Sequence, residues 1–355
     1  MSMPRGSVLE IDRALLAGFT FSCRPDCGLC CFATPAVTPR EKAQLIQLDP
    51  ATPFEPAGQD YSLVRSRPEG GACHFLSDLK CRAYAGRPFP CRTFPVSVHL
   101  ASRAQATVVL GCPGLPLDPL RSPPGHRSAR GPKGLDEELS LLEAALAEDP
   151  GRGWRKQWVR NLKAMGLSEI EAADAQDPAP LQARLAQDPP MPTDADMRRV
   201  DLPSVEEGVE GFPLFWEEGT GVVAIGRRGE DWEAVSLKES GGVRAELGRF
   251  LAPDHLPRLE AGAQALLKGY LSYVARRDHT LGHVLFVIAE SGTGELGETL
   301  QADVKAAGAT VVARASLRAL LSGRSPEPLT ERDIDQGIRA TDMEWLDRPT
   351  LGRLL

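Results

Sequence analysis

The clearest periodicities lie in the second half of the chain. Over residues 136–148 apolar side chains fall at Leu139, Leu142, Ala145 and Leu146, the spacing of an amphipathic helix. Trp154, Trp158 and Leu162 then recur every fourth residue and predict a second helix with these three on one core-facing stripe. Ser168 and Glu171 make the S-x-x-E pattern of a capping box and predict a third helix to about Ala175. Residues 177–203 read as a connector with a short helix around 181–185, because Pro189, Pro190 and Pro192 prevent a longer one. From 212 to 237 turn and strand residues alternate, and Phe215-Trp216, 221–225 and 232–237 predict a small antiparallel meander. Residues 259–276 predict a strong helix. Residues 283–290 (HVLFVIAE) read as a buried strand, 298–307 as a helix and 309–315 as another strand, which together make a strand–helix–strand unit. The run Thr330-Glu331-Arg332-Asp333 opens a final helix, followed by Trp345.

The first third has a different pattern. Thr38 is a helix N-cap, Pro39 fits the first helical position, and Glu41 completes a capping box. That helix would run to Leu48 and turn Ala43, Leu45, Ile46 and Leu48 to a core. Arg87-Pro88 and Phe89-Pro90 favour extended backbone before each proline, so 87–95 reads as a rigid loop. Residues 107–110 predict a short buried strand that delivers Cys112. Residues 113–134 are rich in Pro, Gly, Ser and Arg and read as a linker, with His126, Arg127, Arg130 and Lys133 as a small basic tract. The pattern as a whole predicts an α+β class with a loop-rich opening module at 1–115. A linker at 116–134, a helical segment at 135–190, an α+β domain at 205–325 and a helix with tail at 326–355 follow.

The chain has 355 residues, 34 of them Gly and 30 Pro, with 42% hydrophobic and 25% charged residues, so it can bury a sizeable core between many loops. No run of about 18 apolar residues predicts a membrane span, and no basic-then-apolar leader opens the sequence, which together predict a cytoplasmic protein. The formal charge of −7 argues against a nucleic-acid coat. That charge is unevenly spread: residues 1–134 carry 16 Lys and Arg against 10 Asp and Glu, and the remainder 25 against 38. The acidic part suits a basic protein partner.

All eight cysteines lie between Cys23 and Cys112. The first group, Cys23, Cys27, Cys30 and Cys31, has the spacing C-x3-C-x2-C-C. Cys73, Cys81, Cys91 and Cys112 follow more loosely. Closely spaced cysteines with a Gly or Pro to turn the chain converge cheaply on a metal, and Pro25 and Gly28 are suitably placed. Arg24, Arg82, Arg87 and Arg92 flank the cysteines and favour thiolates. Four disulfides would need an oxidising compartment. Chance burial fits one or two cysteines but not the set. A catalytic thiol needs a histidine partner, and only His74 is near, next to Cys73 and badly placed to serve it. The favoured reading is a zinc site or an iron–sulfur cluster. In an extended segment Cys30 and Cys31 would face opposite ways, so the count of sites, one or two, stays open.

These residues resemble a known family. Cys27-Gly28-Leu29-Cys30-Cys31, Thr38-Pro39-Arg40-Glu41, Cys73-His74-Phe75-Leu76, Cys81-Arg82-Ala83-Tyr84 and 87–95 (RPFPCRTFP) occur in order, as in the YkgJ-type cysteine-cluster family of zinc- or iron-chelating domains. The resemblance covers about residues 20–115. It implies a metal centre held by the cysteines and no settled activity. Some relatives resemble flagellin lysine methylases, which join an iron–sulfur centre to S-adenosylmethionine chemistry.

One further motif follows the expected strand at 283–290. Gly292, Gly294 and Gly297 form a G-x-G-x-x-G turn, the context in which a dinucleotide or S-adenosylmethionine could meet backbone N–H groups. Against it, the second strand ends without an acid to grip a ribose, and Glu295 and Glu298 would repel a pyrophosphate. An iron–sulfur-dependent methyltransferase with its cofactor on this turn is the enzyme alternative. A structural-metal interaction protein is the other.

Overall fold

The computed structural model describes residues 11–24, 27–32, 35–56, 61–65, 72–121, 134–148, 154–165, 167, 169–202, 213–240, 242–253, 255–351 and 353–354. Pro25, the basic tract at 126–133 and the Ser168 cap lie outside the described residues. Among the described residues no helix is long and apolar enough to cross a membrane.

The opening region holds strands β1 (Ile11–Asp12), β2 (Ala36–Val37), β3 (Phe54–Pro56), β4 (Ser62–Val64), β5 (Leu76–Ser77), β6 (Lys80–Cys81), β7 (Val96–Leu100) and β8 (Ala104–Val108), with helices α1 (Pro39–Leu48) and α2 (Phe89–Thr93). Five helices follow: α3 (Asp136–Glu148), α4 (Trp154–Ala164), α5 (Glu169–Gln176), α6 (Ala179–Gln187) and α7 (Asp194–Met197). A meander of β9 (Leu214–Glu217), β10 (Gly221–Arg228), β11 (Asp231–Leu237) and β12 (Val243–Leu251) leads to α8 (Ala261–Ala275), α9 (Asp278–Ser291), α10 (Leu296–Leu321), α11 (Glu331–Asp347) and β13 (Arg353–Leu354). Helices and mostly antiparallel small sheets are segregated, which is an α+β arrangement.

The α1 start follows the expected chemistry. Thr38 accepts from the Glu41 backbone N–H while the Glu41 carboxylate accepts from Thr38 N at 2.9 Å. Its burial is narrower than the pattern suggested: Leu45 is buried, but Ile46 and Leu48 are 40% and 53% exposed. Residues 89–93, expected as loop, form a short helix, because a proline in the first turn removes no hydrogen bond that the helix needs.

The strand–helix–strand reading of 283–315 is overturned. Residues 283–290 lie within α9, and 309–315 sit in the middle of the 26-residue α10. Residues 309–315 are buried on every side, and in 283–290 the apolar run continues over half-buried Phe286 and exposed Val287, so neither run carries a period that separates helix from strand. The meander has a fourth strand, β12, whose mostly exposed side chains hide the expected alternation. Trp345 lies inside α11 rather than after it.

One sheet, in the order β1-β8-β7-β13, positions the site described below. In β7 and β8, Val96, Val98, Leu100, Ala104, Ala106 and Val108 face the main hydrophobic cluster, which runs from Ile11 to Trp345. The opposite face carries the register pairs Ser97–Thr107 and His99–Gln105, also buried. The α8–α9 corner pairs with Gln105 and Thr107 of this polar face. Gln105 donates to Arg276 O at 2.9 Å and accepts from Asp278 N at 2.7 Å, and Tyr273 Oη pairs with Thr107 Oγ1 at 2.8 Å. Arg277 donates to Val108 O and, in two bonds of 2.6 and 2.9 Å, to Asp342 of α11. Asp342 also accepts from Leu110 N at 2.7 Å. The end of β8, and with it the turn that carries Cys112, is thus clamped to the core by a buried ion pair.

The carboxy-terminal residues cross the same face. His99 Nε2 meets Thr350 Oγ1 at 3.2 Å, His283 Nδ1 donates to Pro349 O at 2.7 Å, and Leu351 N donates to Gly282 O at 2.9 Å. Gly282 permits this approach, since a Cβ there would stand 2.3 Å from Thr350 Oγ1 and 2.4 Å from Leu351 O. Burial draws His99 down to about 4 and His279 to about 3 from the usual 6.5.

Two outcomes follow from this packing. Asp342→Ala should cost about 3–5 kcal/mol in urea unfolding, because it strands the Arg277 charge in the core; an unchanged midpoint would show that the clamp carries no stability. His99 and His279 have folded-state values below the unfolded one, so their contribution is complete above about pH 6.5 and is lost as pH falls toward 4 and 3. The urea midpoint should therefore drop between pH 7 and pH 5, and less so in His279→Gln.

Candidate metal centre

All eight cysteines are described, and all are free thiols rather than disulfides. Five separate segments carry them. Gly28, with φ +64°, turns the chain between Cys27 and a 3-10 helix over Leu29–Phe32 that holds Cys30 and Cys31. This is the first correction to the expected geometry. Cys30 and Cys31 sit in a helical turn, about 120° apart rather than on opposite faces of a strand, so their sulfurs stay within hydrogen-bonding reach.

Cys73 donates its backbone N–H to Cys31 O at 2.5 Å, which ties the second group of cysteines to the first. The chain then forms the β5–β6 hairpin, in which Cys81 pairs with Leu76. Asp78 and Leu79, at φ +50° and +58°, make its tight turn. Leu79 N donates to the Glu239 carboxylate at 2.6 Å, and Ala72 N to Glu239 O at 2.9 Å, so the turn between β11 and β12 braces this otherwise strained turn. Cys91 sits in α2, which packs on α3. Cys112 follows β8, and Arg339 of α11 holds its turn by donating to Cys112 O and Leu115 O, both at 2.9 Å. Cys23 lies beside that turn: Ser22 N donates to Gly114 O at 3.1 Å, and a Cβ on Gly114 would fall 2.5 Å from Ser22 O.

The sulfurs form one neighbourhood. Cys31 retains its proton, raised by hydrogen bonds to Cys30 and Cys81. The same bonds favour thiolate at their other ends, lowering Cys30 and drawing Cys81 down to about 6. Burial raises Cys91, with Cys30, Cys73 and Cys81 as its next influences. Burial also lifts Cys112 to about 12, and Cys27, Cys30 and Cys23 are its thiol neighbours. Desolvation, then Cys30, raises Cys23. Among the described residues no set of three or more Cys, His, Asp or Glu side chains stands at the spacing of ligands around one ion. Two thiol–thiol hydrogen bonds, Cys30–Cys31 and Cys31–Cys81, link three of the sulfurs instead.

The flanking cations divide into two kinds. Arg87 lies 3.9 Å over the Tyr84 ring and favours thiolate at Cys30, Cys81, Cys91 and Cys23. Arg87 Nε and Arg92 Nε are buried with no hydrogen-bond partner. Arg82 donates to His74 O at 3.1 Å and approaches Asp49 at 3.4 Å, and its charge reaches Cys81, where it favours thiolate. His74 meets Asp49 at 2.8 Å and is an accessory residue, as its position beside Cys73 suggested. Arg24 sits 5.0 Å over Trp216 of β9. Cys27 and Leu29 pack on Val222, Ala224, Val235 and Leu237 of the meander. Spacing along the chain gives no sign of Glu239, Trp216 or Asp49, because each reaches the module from a distant element.

The glycine turn lacks its expected setting. Gly292, at φ +67°, caps the end of α9 by donating to Ile288 O at 2.9 Å, and α10 begins at Leu296. A helix, not a strand, leads into it, so the strand-to-helix crevice of a nucleotide fold is absent from 292–297. A Cβ on Gly292 or Gly297 would meet nothing within 4 Å, as on an open surface.

Comparison with known families gives one match, over residues 22–112, to the CxxCxxCC model, described as a "putative zinc- or iron-chelating domain". No curated protein and no solved structure matches the chain. The matched span begins just before Cys23 and ends on Cys112, so it takes in every cysteine of the sequence and about a quarter of its length. Residues 22–112 are therefore similar to the CxxCxxCC domain, and every cysteine of the sequence lies within the similarity.

Proposed function

We propose that the cysteine cluster is a structural metal centre for zinc or iron, which fastens a loop-rich module to the helical and sheet-bearing body of the protein. The observation that carries this reading is the gathering of eight free thiols from five segments into one neighbourhood. The donor set is soft and mostly buried, which suits zinc or an iron–sulfur centre and disfavours magnesium or calcium. Two sulfurs already favour thiolate, at Cys30 and Cys81, on either side of the Cys31 proton. A cation that displaced the shared protons would draw the same sulfurs inward.

Physical need points the same way. The apolar cluster beneath α1 and the hairpin comprises only Val37, Leu45, Val64, Phe75 and Ala83 as buried members, with Cys73 and Cys81 packed against it. So small a core does not fix this many loops, and small domains commonly replace core with metal. The arginines supply the other requirement. Arg87 favours thiolate at Cys23, Cys30, Cys81 and Cys91, where excess thiolate charge would need compensation, and its buried Nε has no hydrogen-bond partner.

Protein purified anaerobically should contain stoichiometric zinc or iron. A broad absorption near 400 nm identifies iron–sulfur and a colourless protein with zinc identifies the simple thiolate site. Chelation should lower the thermal midpoint by about 10 °C or more, on the order of several kcal/mol. It should also change Trp216 fluorescence, because Arg24 of the cysteine loop stacks on that ring. Cys81→Ser should reproduce the loss of metal. Full stability after complete removal of metal would refute the structural role.

A further inference from the structure

We propose that residues 348–354 form a proton-released strap: charging the three buried histidines beneath them, His99, His279 and His283, detaches the strap from α9 and β7 while the body of the protein stays folded. The proposal is independent of the metal centre.

Polar contacts hold the strap. After α11 the backbone becomes extended at Arg348. Pro349 O accepts from His283 Nδ1 at 2.7 Å, and Leu351 N donates to Gly282 O at 2.9 Å. Thr350 Oγ1 meets His99 Nε2 at 3.2 Å and donates to His279 O at 3.3 Å. Beyond them β13 is the edge strand on β7, with Arg353 opposite Leu100 and Leu354 opposite His99. Apolar support is slight. Half-buried Leu351 packs on one hydrophobic cluster, whereas the main core ends at Trp345, before the strap begins. A segment held in this way opens at a lower free energy than the body beneath it.

Each imidazole is fitted to its neutral form. A guanidinium only donates, so Arg348 on His283 Nε2 and Pro349 O on His283 Nδ1 place the one ring proton on Nδ1. A second proton, on Nε2, would aim a donor at Arg348. It would also set His283 against Arg348 as a rival for Asp303, which lies 4.0 Å from the ring and accepts from Arg348 at 2.8 Å. His99 Nδ1 and His279 Nε2 are buried with no hydrogen-bond partner, and a charged ring needs an acceptor at both nitrogens. These two rings stand 5.6 Å apart, so charges on both would repel at close range.

The other charges nearby do not cancel this cost. His279 faces Arg277 and Arg348 besides the two histidines, His283 faces Arg348 and Asp303, and His99 faces Asp278. Asp278 is already engaged by Arg103 in two bonds of 2.9 Å. Burial is the first cause that lowers all three histidines, and an open strap would admit water to them. Rings at the usual 6.5 when open, against about 4 and about 3 for His99 and His279 when closed, each favour opening by about 30-fold at pH 5.

Hydrogen exchange of the full chain, read by mass spectrometry as protection factors, tests the proposal. From pH 8 to pH 5 the peptide over 349–354 should lose protection on the order of 10³-fold. At pH 5 its exchange should be indifferent to dilute urea, because detachment exposes little surface, and the far-ultraviolet circular dichroism should be unchanged. His99→Gln, which cannot take up the proton, should remove about 30-fold of the fall. A fall of less than about tenfold in the wild-type chain would overturn the proposal. So would strap exchange that matches α8 in protection and urea dependence, since the strap would then open only with the whole protein. A folded His99→Gln chain that keeps the full fall would overturn it as well. The wild-type measurements stand whether or not the variant folds.

Discussion

The constraint on which the molecule turns is the gathering of sulfur in a place that carbon cannot fill. Residues 23–93 contain short strands, a ten-residue and a five-residue helix and tight turns, and among the described residues the apolar cluster of their own is small. Such loops have much conformational entropy to lose and little apolar surface to bury in return. Thiols are weak hydrogen-bonding groups, and a chain of them is a poor substitute for a core. Thiolates around a soft cation are a strong one.

The rest of the fold gives that centre a rigid frame. The β7–β8 pair hands over Cys112, and Thr107 and Gln105 on its polar face bond to the α8–α9 corner, with Arg277 and Asp342 buried between them. Arg339 holds the Cys112 turn from α11. The meander supports the cysteine loop from below through Leu29 and braces the hairpin through Glu239. The cysteines thus rest on helices and strands from both ends of the sequence. The cluster of buried side chains that runs from Ile11 to Trp345 is the physical form of this dependence.

What the sequence disclosed follows from the range of the forces involved. Caps were legible because they are local: Thr38 with Glu41, and Thr330 before α11, satisfy donors three residues away. The three-stranded start of the meander and helices α3, α4 and α8 were legible from periodicity against one solvent-facing side. α9 and the middle of α10 were not: full burial removes the polar positions that mark a period in α10, and in α9 an apolar Val287 stands where an exposed polar residue would have marked it. That misreading also lent the Gly292–Gly297 turn a significance it does not keep. The cysteines were legible as a set, because eight clustered in 90 residues has few physical explanations. Their geometry was not: the 3-10 turn at Cys30–Cys31 depends on Gly28, and the support from Glu239 and Trp216 depends on tertiary contacts with no sequence signature.

The most direct measurement of the central claim is X-ray absorption at the edge of the metal carried by the purified protein. The account predicts a shell of sulfur scatterers near 2.3 Å, four per ion if the metal is zinc. A shell of nitrogen and oxygen alone would contradict it, because the metal would then sit somewhere other than among the cysteines.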